Sequence, residues 1–307
     1  MKLGFMCGMK NNGRYRIEDY LTEIREAEAL GLDQAWMGQV FSADAISVLT
    51  LAARETHRIR LGTAVTPIQP RHPTSLALQA LTASAISKGR FDLGIGLSHK
   101  LVIEDMYGLS YAKPAQQMRE YLQVLGPLCR RERCDYDGEL YRVHAKMPVA
   151  EVTEVPVIVA ALGPALLKLA GELAAGTSTW MTGLKTLEQH IIPRIRDAAH
   201  SAGRPKPRIV ASFPIVLTDK PAEAHTAVAE KTAIYGHIPS YKAMLDREGV
   251  QHPVDIALIG DRSSLRNQLH KLAEIGVDDF NAFCMETDPE AVDRTLAFLA
   301  EEKSNFC

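Results

Sequence analysis

The chain has 307 residues, 46% of them apolar and 23% charged, with a formal net charge of −2. That length allows two ordinary domains or one large α/β domain, with enough apolar residues for a core that needs no staples. The near-neutral charge and the lack of a basic block argue against nucleic acid or an anionic membrane surface as the main partner. No apolar run approaches the ~18 residues of a membrane span, so a soluble cytoplasmic protein is expected.

Taken in order, Lys2 to Met6 reads as a first strand. Ile17, Tyr20, Leu21, Ile24 and Ala27 then mark an amphipathic helix that closes near Gly31. Asp33 to Met37 is a second strand, and the next helix, on Ala45, Ile46, Leu49, Thr50 and Ala53, is entered through a cap at Ser42 or Asp44. Ile59 to Val65 is β-branched and bounded by Pro67, as suits a buried strand. A stiff proline-rich loop from Thr66 to Pro73 leads to a helix over Leu76 to Ile86 and a fourth strand, Phe91 to Gly96. The glycines of that strand leave room for another backbone or for a flat ligand. A long loop runs to Pro114, a helix follows on Met118, Tyr121, Leu122 and Leu125, and Cys134 to His144 forms a hairpin turning at Asp137-Gly138.

The alternation then resumes. Strands are predicted at Val155 to Ala160, Thr177 to Met181, Ile209 to Leu217 and Val277 to Met285. Helices separate them, the one after Ile209–Leu217 broken near Gly236 to Pro239, and Pro289 to Glu302 closes the chain. Eight strand–helix units with no composition break predict one α/β domain over residues 1–307, a (β/α)8 TIM barrel with small insertions. A doubly wound sheet would feed its first strand into a G-x-G-x-x-G turn, and GFMCGMKNNGRY lacks that spacing. Among the five cysteines, Cys129 and Cys134 read as unrelated thiols rather than a disulfide or half a zinc site.

In such a barrel the site lies at the C-terminal ends of the strands. The residues there include Cys7, Gly38, Gln39, Val65, Ser98, His99, Ala161 to Gly163, Thr182 and Gly183, a set short of ionisable groups. The first strand carries no H-x-H, so no metal is expected, and a bound organic cofactor suits the set better. Ala161-Leu162-Gly163-Pro164 reads either as an anion site at a helix start or as an ordinary helix start. Thr182-Gly183 could add a hydroxyl and amides to the same phosphate. Ser98 and His99 either hold a polar part of a cofactor or form a solvated turn, and His72 is expected to cap the next helix or to pack locally. Glu104, Tyr107 and Tyr111 are placed at a substrate mouth, with Met37, Gln39, Phe41 and Trp180 around it.

LGTAVTP, RHPTSLALQALTASAISKGRFDLGIGLS and VPVIVAALGPALLKLAGELAAGT resemble the luciferase-like flavin and deazaflavin oxidoreductases. Within that superfamily the chain is similar to the branch that uses coenzyme F420, over nearly its whole length. The resemblance implies F420 as cofactor, with FMN as the alternative. It implies that Gly163, Thr182 and Gly183 hold the cofactor phosphate, and that Ala64-Val65 is a cis peptide in a bulge behind the deazaflavin ring. Homodimers are common among such proteins, so a dimer is expected. Sugar-oxidising relatives place an Asp-His pair after the second strand, where this chain reads Met37-Gly38-Gln39-Val40-Phe41. The expected reaction is therefore reduction of an activated C=C or C=N bond of a small molecule or natural-product intermediate, with His99 or Glu104 as proton donor. An FMN-dependent monooxygenase and a non-catalytic flavin-binding barrel are the alternatives.

Overall fold

The computed structural model describes residues 1–10, 15–152 and 154–306. Its strands are β1 (Lys2–Met6), β2 (Gln34–Met37), β3 (Arg60–Thr63), β4 (Thr66–Pro67), β5 (Phe91–Gly96), β6 (Cys134–Asp137), β7 (Arg142–Ala145), β8 (Val157–Ala160), β9 (Gly176–Thr179), β10 (Arg208–Leu217), β11 (Leu258–Gly260) and β12 (Asp279–Cys284). The α-helices are α1 (Ile17–Leu30), α2 (Ala45–Glu55), α3 (Pro73–Ile86), α4 (Pro114–Cys129), α5 (Pro164–Leu173), α6 (Leu184–Thr186), α7 (Ile192–Ser201), α8 (Pro221–Thr232), α9 (Pro239–Glu248), α10 (Arg262–Ile275) and α11 (Ala291–Glu302). The sheet order is β11-β10-β12-β1-β2-β3-β5-β8-β9, and β9 also pairs with β10. Eight strands thus close into a (β/α)8 barrel, with β4 and β11 as short additions.

The chain divides into two compact units, residues 1–36, 178–194 and 208–307 in the first and 37–177 and 195–207 in the second. In the first unit β1 lies parallel between β12 and β2, in register Lys2 to Asp279 and Gly4 to Gln34. A buried polar chain ties these strands at their entry. The Arg208 guanidinium and the Gln34 amide both donate to the Asp279 carboxylate, and Trp36 Nε1 donates to Gln34 Oε1 at 2.7 Å. Asp279 and Gln34 are each 2% exposed, so this mutual satisfaction is what permits polar side chains inside the barrel.

In the second unit β3, β5 and β8 are parallel, with Leu61 opposite Phe91 and Leu93 opposite Val157. Asp44 caps α2, accepting from the Ser47 amide at 2.9 Å, and His72 Nδ1 accepts from the Thr74 amide at 3.3 Å to cap α3. The excursion at Cys134–Ala145 is the antiparallel hairpin β6–β7, and the Cys129 and Cys134 thiols are buried and unbridged. Cys307 lies outside the described residues. Among the described residues no helix is long and apolar enough to cross a membrane.

Candidate active site

The second unit holds the bulge between β3 and β4. Its Ala64–Val65 peptide is cis. The Ala64 amide donates to the Met37 carbonyl at 2.9 Å and the Gln39 amide to the Val65 carbonyl at 3.4 Å, which anchors the bulge to the end of β2. On the other side stand Gly94 and Gly96 of β5. A Cβ on Gly94 would overlap the Thr63 carbonyl oxygen, and one on Gly96 would sit 2.6 Å from Val65 Cγ2. The room these glycines leave is therefore filled by the neighbouring backbone and by Val65, not by a ligand. Ala64 and Val65 themselves are only partly covered.

Two predicted substrate-side residues have structural duties here. Met37 is 2% exposed, so its side chain belongs to the core and its carbonyl serves the bulge. The Gln39 amide is consumed locally: Oε1 accepts from the Ala45 amide at 2.9 Å and Nε2 donates to the Ala43 carbonyl at 3.5 Å.

Past β5 the chain turns through Ser98, whose φ of 57° lies in the left-handed region, and reaches His99. The Tyr111 hydroxyl donates to the Ser98 carbonyl at 3.3 Å. His99 is half-buried, and loss of water holds its imidazole below the ordinary 6.5, favouring the neutral ring at pH 7. The sequence reads residues 97–113 as plain loop, but Val102–Met106 is a turn of π-helix pinned by the fully buried Ile103. That turn puts Glu104 on an exposed side, 3.6 Å from Lys100, while Tyr107 packs on Phe41 with ring centroids 5.2 Å apart. Phe41 is 63% exposed, so this pair forms an open aromatic wall.

Gly163 is the cap of α5, in extended conformation, with Pro164 as the first helical residue. Nothing lies within 4 Å of where its Cβ would be, so the approach to this helix start is open. Ala161 is fully buried beneath it and Leu162 half-buried.

In the first unit, Thr182 is fully buried and its hydroxyl has no hydrogen-bond partner, while Gly183 follows in extended conformation. The amides of Lys185 and Thr186 already have an acceptor, the Glu248 carboxylate at 3.0 and 2.7 Å. Trp180 belongs to an aromatic group that the sequence showed only in part. Its ring lies 4.7 Å from Phe283 and 5.6 Å from Tyr235, which in turn meets Tyr241 at 5.5 Å. Trp180, Tyr235, Phe283 and Met285 wall a cavity of ≈330 Å³ together with Gly8 and Met9 from the end of β1. A larger cleft of ≈570 Å³ near the end of β10 is edged by charges already paired, Arg294 with Asp288 at 2.8 Å and Lys220 with Glu223 at 3.7 Å.

Behind Gly8 stands Glu23, on the inner face of α1 and only 4% exposed. The Gly8 amide donates to it at 2.7 Å and the Tyr15 hydroxyl at 3.4 Å. Burial outweighs these bonds and pushes the carboxyl up to about 7. The helical spacing of Ile17, Tyr20, Leu21, Ile24 and Ala27 gave no hint of a carboxyl on that face.

Solved structures share this fold over the whole chain. The sequence model of the family described as luciferase-like monooxygenase matches residues 1–297. The chain belongs to that family. Among its relatives, the F420-dependent glucose-6-phosphate dehydrogenase of Kineococcus radiotolerans is 27% identical over 278 residues, 85% of this chain and 80% of the relative. The 5,10-methylenetetrahydromethanopterin reductase of Archaeoglobus fulgidus is 32% identical over 179 residues, 57% of this chain and 52% of the relative. The solved structure of the coenzyme F420-dependent tetrahydromethanopterin reductase of Methanopyrus kandleri superposes with a TM-score of 0.83 at 22% identity, covering 99% of this chain and 98% of that one. That likeness concerns the fold of this luciferase-like chain.

Proposed function

We propose that this protein is a coenzyme F420-dependent oxidoreductase, acting as a reductase on an activated C=C or C=N bond of a small-molecule or natural-product substrate. The observation that carries the reading is the Ala64–Val65 bulge, braced by Met37 and Gln39 on one side and by Gly94 and Gly96 on the other. A partly exposed apolar bracket of that kind suits one face of a flat ring, and the Kineococcus radiotolerans relative is named for F420. When bound, the reduced deazaflavin supplies a hydride at C5, which suits strand ends so poor in catalytic side chains.

The residues present fit such a cofactor. Ala64 and Val65 support the ring, and Ser98 and His99 face its polar portion. For the phosphate the second unit offers a strand end. In the second unit Ala161, Leu162 and Gly163 open α5 with free space at the cap. Of the two predicted proton donors, His99 is favoured over Glu104, because it is half-buried whereas Glu104 is exposed beside Lys100. In the second unit Phe41 and Tyr107 contribute an apolar wall for the substrate. A homodimer is what the family resemblance implies.

The test is anaerobic. Purified protein is mixed with reduced F420 and a panel of enones and cyclic imines, and cofactor oxidation is followed. Turnover without oxygen supports the reductase. Oxygen consumption with reduced FMN would move the assignment to a monooxygenase, and cofactor binding without hydride transfer to any acceptor would leave a flavin-binding barrel.

A further inference from the structure

The proposed reaction makes no use of the ≈330 Å³ cavity in the first unit. Trp180, just past β9, Phe283 of β12 and Tyr235, in the turn between α8 and α9, wall it, and all three rings are only partly buried. The rings fix one another. Trp180 meets Phe283 at 4.7 Å with a tilt of 37°, and Tyr235 edge to face at 81°. Tyr235 is held in turn by Tyr241, at 84°. The backbone directly after Trp180 is unusual, because Met181 has a φ of 56° and a fully buried side chain. A left-handed methionine carries strain, and it persists because packing against Leu245 and Ile256 holds it in place. Met181 thus fills the core while its neighbour Trp180 faces the cavity.

Met9 and Met285 complete the apolar lining, and their thioethers suit the edge of an aromatic ring. One cation stands at the rim. Lys231, in the last turn of α8, donates to the backbone carbonyl of Glu286, a neutral acceptor, and forms no ion pair among the described residues. Glu286 is the other charged residue of the lining, and it is not free. We propose that this cavity is a binding site for an aryl carboxylate, its planar ring against Trp180 and Phe283 and its carboxylate on Lys231. A volume of ≈330 Å³ lies at the low end of the roughly 300–1,000 Å³ of small-molecule sites, room for a fused bicyclic ring. Such a ring replaces water over aromatic faces that are already locked, so little side-chain freedom is lost on binding. Lys231 exchanges a neutral acceptor for a charged one, a bond roughly twice as strong. The site belongs to the first unit alone, so it stands or falls independently of the F420 reading.

The experiment is titration calorimetry with 2-naphthoate and its uncharged counterpart 2-naphthamide, no cofactor being added. It compares wild type, Lys231→Met, Lys231→Arg and Trp180→Ala, each checked for a native thermal transition. Naphthoate is expected to bind wild type with a dissociation constant below about 1 mM, and about tenfold or more tighter than naphthamide. Lys231→Met should bring naphthoate to the level of naphthamide and leave naphthamide within about twofold, whereas Lys231→Arg keeps the charge and the preference. Raising ionic strength from about 0.05 to about 0.5 M should weaken naphthoate and spare naphthamide. Trp180→Ala should weaken both ligands by about fivefold or more. Tyr235→Ala takes its place if that variant lacks a native transition. Absence of saturable binding, equal affinity for acid and amide, or a preference that survives Lys231→Met would overturn the proposal. So would a native Trp180→Ala protein that binds both ligands as wild type does, since the ligands would then lie elsewhere.

Discussion

Thr63 and Gly94 clasp each other across two strands: the Thr63 hydroxyl donates to the Gly94 carbonyl at 2.7 Å and accepts from the Gly94 amide at 2.9 Å. Both residues are fully buried. The clasp brings the backbone at Thr63 so close that a side chain at Gly94 has nowhere to go, and it fixes the strand from which the Ala64–Val65 bulge departs. Gly94→Ala should therefore lower stability by about 3 kcal/mol, the upper range for overpacking a rigid site. It should also weaken cofactor binding. Urea unfolding together with a binding titration checks both, and an unaltered midpoint would mean the backbone yields more easily than this packing implies.

Gly163→Asp should act oppositely on the two observables. The cap has extended dihedrals and free space, and Asp is a preferred cap, so the thermal midpoint should hold or rise slightly. The same carboxylate would occupy the helix start proposed for the phosphate, and F420 affinity should fall at least tenfold, about 1.4 kcal/mol. A loss of affinity accompanied by unfolding would point to damage and not to competition.

His99 predicts the shape of the pH profile. Burial favours its neutral form, so the protonated donor is a minority at pH 7 and grows as pH falls. The apparent rate of reduction should rise toward acid with a midpoint below 6.5. His99→Gln should flatten that limb and lower the rate by roughly 10²-fold or more, the usual worth of a general acid. An unchanged profile in His99→Gln would pass the role to another group or to water.

Glu23 predicts a slope in stability with pH. Its folded carboxyl titrates near 7, above the ordinary 4.5, so the native state binds more protons than the unfolded chain between those values. Stability must then decrease as pH rises through that window, by about 3 kcal/mol in total, and level off above it. Glu23→Gln keeps an acceptor for the Gly8 amide and removes the titration, so its stability should lack this slope and exceed wild type near pH 8. Unfolding midpoints of both proteins across that range decide the matter, and parallel curves would contradict it.

Much of the scaffold was legible because it repeats. Short apolar strands bounded by Gly and Pro, separated by helices with an i, i+3, i+4 stripe, gave the eight barrel strands, the β6–β7 hairpin and the break between α8 and α9. Residue type offered Ser42 or Asp44 for one cap and His72 as a cap or a packing group, and the structure has Asp44 and His72 in the two cap positions. What periodicity could not reach were interactions set by tertiary approach. The π-turn at Val102–Met106 has no sequence pattern that separates it from a loop. Gln39 stands just past a strand end, and the hydrogen bond its side-chain amide accepts from the Ala45 backbone is set by tertiary approach. Glu248 is more than sixty residues from the amides it serves, and Tyr235 lies in the broken helix, so neither could be assigned to a strand end beforehand. The resemblance named positions, and only packing distinguishes the open helix start at Gly163 from the one already served by Glu248.

The most direct measurement is equilibrium binding of oxidised F420 and of FMN to the purified protein, side by side at one pH and ionic strength. The account predicts micromolar or tighter binding of F420, with FMN weaker by tenfold or more. Tighter binding of FMN, or of neither, would contradict it.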